Sequence, residues 1–108
     1  MTETMAGLIV PKGDYGFDLN FTVRDSDGDA YNLTGYTIKL KVWSPNNPSI
    51  LMVNGTCSIL VAASGTCKYT VANGDFNSVG NYLFELELTK TGVVESTKTQ
   101  TLFVTESG

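Results

Sequence analysis

The sequence contains no histidine, and with it go the commonest general base and the commonest nitrogen ligand for metals. A Ser, Thr or Cys nucleophile would need a different base beside it, and no motif supplies one. Two cysteines in 108 residues fall short of a disulfide framework. Positive charge is scarce as well: seven Lys and Arg stand against 11 Asp and Glu, for a formal net charge of −4. The seven are scattered from Lys12 to Lys98, whereas neutralising phosphates requires clustered cations. Nucleic acid is therefore not an expected partner. No apolar run approaches the ~18–20 residues of a membrane helix, so no membrane partner is expected either. The opening segment has only a short apolar run, Met5 to Val10, without the basic leader and longer apolar stretch of a secretory signal. Synthesis in the cytoplasm without a signal peptide is the expectation.

What is present is alternation. Hydrophobic residues make up 42% of the chain, enough to pack a core, and the length suits one domain. Phe17, Leu19, Phe21 and Val23 alternate with Asp18, Asn20, Thr22 and Arg24. Tyr36, Ile38, Leu40 and Val42 alternate with Thr37, Lys39 and Lys41, and Tyr82, Phe84, Leu86 and Leu88 with Glu85, Glu87 and Thr89. Each pattern predicts a strand with one buried and one wet face. Turn residues separate them: Asp25-Ser26-Asp27-Gly28-Asp29, Pro45-Asn46-Asn47-Pro48, Asn54-Gly55 and Lys90-Thr91-Gly92. Strands are predicted near residues 6–10, 17–24, 36–43, 50–53, 56–62, 66–72, 81–89 and 95–104, with at most one helical turn over 74–79. The fold class is all-β, an immunoglobulin-like antiparallel sandwich of about seven to eight strands. It forms one domain over residues 1–108, with its core at about 5–105.

The hairpin around residues 56–72 invites a register. Ala63-Ser64-Gly65 suits a three-residue loop with a left-handed Gly. Pairing Ala62 with Thr66 then sets Val61 opposite Cys67 and Cys57 opposite Val71, so that Cys57, Ile59, Val61, Cys67, Tyr69 and Val71 share a core face. Cys57 and Cys67 would stand ~14 Å apart, too far for a disulfide, and both are expected as buried free thiols.

Phe17-x-Leu19-x-Phe21-x-Val23, Asp25-x-Asp27-Gly28, Leu33-Thr34-Gly35, Gly65-x-Cys67-x-Tyr69-x-Val71 and Gly80-x-Tyr82-x-x-Glu85 together resemble the N-terminal domain of phage upper baseplate proteins. The resemblance runs from about Lys12 to Val104. It implies an immunoglobulin-like domain that docks a receptor-binding or fibre module onto the tail tip, in contact with tail and baseplate proteins. The stretch Asp75 to Tyr82 also resembles the tyrosine corner of such domains, in which the Tyr hydroxyl bonds nearby backbone. Phe21 and Phe84 are the residues expected to fill the centre that a cysteine pair fills in antibody domains.

Other candidates compete with simpler readings. Glu85 and Glu87 share a strand face as a glycosidase pair might, but alternation alone makes them a solvated face. Asp25, Asp27 and Asp29 suggest a calcium loop. Counted from Asp25, however, the sixth and twelfth positions hold Ala30 and Tyr36 where an EF-hand needs Gly and Glu, and a tight turn is the simpler account. Strand parity puts Trp43 on the outer face as a protein contact or sugar platform, unless a bulge before Ser44-Pro45 turns it inward, the reading preferred here. Met5 to Val10 is either a strand covering a sheet edge or an arm that pairs with another subunit.

No catalytic residue and no cofactor is assigned. The expected function is that of a non-enzymatic virion structural module in the tail or baseplate, with association into homo-oligomers left open. The alternatives are a carbohydrate-binding adhesion module using Trp43, Tyr15 and Tyr31, and a cell-surface immunoglobulin-like repeat.

Overall fold

The structure is a computed structural model that describes residues 8–106. Nine strands run in chain order: β1 (Leu8–Pro11), β2 (Asp18–Thr22), β3 (Thr37–Ser44), β4 (Asn47–Thr56), β5 (Ser58–Val61), β6 (Thr66–Thr70), β7 (Gly80–Lys90), β8 (Val93–Ser96) and β9 (Gln100–Thr105). One sheet has the order β1-β9-β7-β3-β4 with β8 also paired to β7, and the other has the order β2-β6-β5. The alternating residues of β2, β3 and β7 turn one set inward, and these sets form the core between the sheets. Phe21 of the small sheet meets Phe84 of the large one at its centre, ring centroids 5.9 Å apart, both fully buried.

The departures from the predicted strands have local causes. The segment 95–104 is two strands, because the ladder along β7 is interrupted at Thr97. There the Thr97 amide bonds Leu86 O at 3.0 Å, while the Leu86 amide bonds Thr97 Oγ1 at 3.0 Å. A buried side-chain hydroxyl thus replaces a backbone carbonyl. Pairing is antiparallel except at one edge, where β1 runs parallel to β9. The apolar segment at 8–10 therefore pairs within the domain, and residues 5–7 lie outside the described residues. Pro45-Asn46 alone makes the β3–β4 turn, closing Ser44 onto Asn47. Pro48 sits inside β4, at a sheet edge where its missing N–H leaves no ladder bond unmade. Segment 74–79 consists of turns and bends with no helical turn, and Phe76 from it plugs the core.

Asn54-Gly55 is strand, not turn. Gly55 pairs with the inward Leu40, and Tyr69 from the other sheet fills the space above it. The 56–72 hairpin has the left-handed Gly65, φ 70°, but not the predicted register. A bulge at Leu60 makes Val61 pair with Thr66 and Ile59 with Cys67. As a result Ile59 and Val61 are exposed at the sheet edge, while Cys57, Cys67, Tyr69 and Val71 remain buried. Ser58 pairs with Lys68, which sets Cys57 diagonally across from Cys67, and both are buried free thiols. The expected ~14 Å separation, built on ~3.4 Å per residue along one strand, does not hold.

Candidate docking face

The large sheet has a second, outward face. On β3 the inward Ile38, Leu40 and Val42 leave Lys39, Lys41 and Trp43 outside; on β7 the inward Phe84, Leu86 and Leu88 leave Leu83, Glu85 and Glu87 outside. Register sets Trp43 beside Leu83, Lys41 beside Glu85 and Lys39 beside Glu87. Trp43 also pairs with Leu51 of β4. The strand-end bulge anticipated before Ser44 belongs to β4: Met52 is the extra residue, and it packs against the core. β3 stays in step with β7, so Trp43 remains outside, half-buried by its outer-face neighbours.

The face divides in two along the strands. One half is an apolar row of Leu51, Trp43 and Leu83, which meets Thr101 on β9; Phe103 and Ile9 pair with each other at the far edge, one step along the face beside Asn81. Ile9 is 72% exposed. The other half is charged. Lys41 Nζ reaches diagonally to Glu87 Oε2 at 2.7 Å, and partial burial raises the Glu85 carboxyl above its ordinary range, against the pull of Lys41. These two glutamates are thus one side of a lysine–glutamate lattice, with Ser96 of β8 beside Glu87.

The remaining candidates lie elsewhere. Asp25 turns its carboxylate onto its own loop: Oδ1 accepts the amides of Asp27 at 2.9 Å and Asp29 at 3.0 Å. Among the described residues, no three Asp, Glu, Cys or His side chains come together as a metal site would. The Tyr82 hydroxyl donates to Ser78 O at 2.9 Å, and its ring packs against the core. Tyr15 is exposed. Tyr31 has its hydroxyl bound by Glu95 of β8, with Tyr36 at 3.1 Å and the Lys90 ammonium 4.6 Å above the Tyr36 ring. The bond to Glu95, then that to Tyr36, drives the Tyr31 phenol well above its ordinary pKa. This cluster escapes sequence reasoning because Tyr31 and Glu95 are 64 residues apart and neither sits in a motif.

The model for the BppU N-terminal domain matches residues 13–108. The chain belongs to this family. Members of the BppU N-terminal domain family are domains of phage baseplate upper proteins, which makes this a phage baseplate structural domain and its setting the virion tail. No curated protein matches the chain. Among solved structures it is similar to CopC from Methylosinus trichosporium OB3b, with a TM-score of 0.57 and 10% identity over 100% of this chain and 97% of that one. At that identity the likeness is one of fold alone, and it shows how far the same sandwich diverges in sequence.

Proposed function

We propose that this BppU-type domain is a non-enzymatic docking module that holds its place in the baseplate by laying the outer face of its large sheet on a protein surface. The observation that carries the reading is the row Leu51–Trp43–Leu83, apolar side chains turned to solvent on a rigid sheet. Aromatic anchors of this kind, ringed by polar residues, dominate protein contacts. A sugar platform would need planar polar partners around the ring, and Trp43 has leucines on both sides. Tyr31, the other stacking candidate, is committed to Glu95.

A tagged domain tests the reading in a pull-down against the co-encoded tail and baseplate proteins, including untagged copies of the chain itself, run beside a glycan array. The expected result is a protein partner, an empty array, and weaker capture by Trp43→Ala. Reproducible glycan binding lost in Trp43→Ala, with no protein recovered, would overturn docking in favour of adhesion.

A further inference from the structure

Resting on the reading of this face as a docking surface, we infer that its occupant is a second copy of the chain, packed sheet on sheet about a two-fold axis that runs along the strands between β3 and β7. The argument begins with charge. Lys39, Lys41, Glu85 and Glu87 are the charged strand residues of the face, two of each sign. Setting them aside leaves five basic and nine acidic residues in the chain, so the whole net charge of −4 lies off this face. Copies of an acidic protein repel each other in general; here that repulsion is locally cancelled.

The arrangement is also its own complement. A two-fold rotation about that axis lays β3 of one copy over β7 of the other at the same height. Lys41 then faces the partner's Glu85, Lys39 faces the partner's Glu87, and Trp43 faces the partner's Leu83, each contact occurring twice as an isologous interface requires. A copy shifted sideways by one strand would instead stack like charges, which fixes the register. The axis overlays four strands, β9, β7, β3 and β4; at ~4.8 Å spacing, each about seven residues of ~3.4 Å, they give a flat area of roughly 450 Å² per copy. With side-chain relief, two faces bury on the order of 1,000 Å², below the range of stable specific interfaces and within that of transient ones. The dimer is accordingly weak and reversible.

Sedimentation velocity over a wide concentration range, read together with the emission of the sole tryptophan, tests this. The expected result is a mass rising with concentration from 11.6 kDa towards twice that value, with a parallel blue shift of the Trp43 emission. Trp43→Ala stays monomeric. Lys39→Glu/Lys41→Glu and Glu85→Lys/Glu87→Lys each weaken self-association at least tenfold; circular dichroism checks that each variant folds, because both set like charges opposite across β3 and β7. Their equimolar mixture regains a dimer, which is lost again when both carry Trp43→Ala. A chain monomeric throughout, or a dimer indifferent to all these changes, overturns the inference. If the chain is monomeric and a Trp43-dependent tail protein is captured, docking stands and only the second copy is wrong; with neither, both readings fall.

Discussion

The ring of Tyr69 occupies the place where a side chain at position 55 would begin: a Cβ on Gly55 would stand 2.2 Å from Tyr69 Cε1. Gly55 is extended backbone in β4, so its lack of a side chain serves close approach of the two sheets and not a turn. Tyr69 is held in place from its other end, its hydroxyl donating to Asp75 Oδ2 at 2.5 Å while the same oxygen accepts the Ala72 amide at 2.8 Å. Ring and glycine are thus a single packing unit. Gly55→Ala is expected to destabilise the domain by about 1–3 kcal/mol through overpacking, measured as a lower urea midpoint. An unchanged midpoint would mean that the ring swings aside freely.

Thr97 joins two strands with its hydroxyl. Thr97→Val keeps the shape but leaves the buried Leu86 amide without its acceptor, at a cost of about 1–3 kcal/mol. Thr97→Ser retains the hydroxyl and is expected to recover most of that loss. Chemical denaturation of both variants checks this, and equal losses for the two would assign the effect to the methyl group instead.

The Tyr82 hydroxyl bond to Ser78 O lies at the surface, where water can replace it. Tyr82→Phe is therefore expected to cost about 0.5–1.5 kcal/mol, the net value of an ordinary hydrogen bond, and not the full penalty of an orphaned buried group. A loss well above that range would show the Ser78 carbonyl to be sealed from solvent.

The Cys57 thiol is held protonated by the neighbouring Cys67 thiol and by burial, which together push its pKa far above the ordinary thiol range. Because the thiolate is the reactive form, Cys57 in the folded protein should react with an aromatic disulfide reagent at pH 8 far more slowly than a free thiol. In denaturant, without reductant, both cysteines should titrate. A denatured count of zero at monomeric mass would mean a disulfide has formed.

The alternation of Phe17 to Val23, Tyr36 to Val42 and Tyr82 to Leu88 determined by itself that the chain is a two-sheet sandwich and which side of each strand faces inward. Side-chain direction in a strand depends only on parity, a local property. Parity points Trp43 outward, but the reading preferred from sequence turns it inward at a bulge before Ser44; only the structure, with that bulge on β4, decides it. The Asp25 loop and the Lys90–Val93 hairpin were legible too, since turn residues act within a few positions. Relations between strands were not. Whether Asn54-Gly55 bends or stays extended depends on Tyr69, a residue of the other sheet. The hairpin register depends on a bulge at Leu60 that exposes Ile59 and Val61 and brings Cys57 against Cys67, and no residue in that loop announces it. The split of the last strand at Thr97, the bond between Tyr31 and Glu95, and the meeting of Trp43, Leu83 and Leu51 in one row all join distant positions. Their geometry is fixed by packing and register together, so only the tertiary structure decides them.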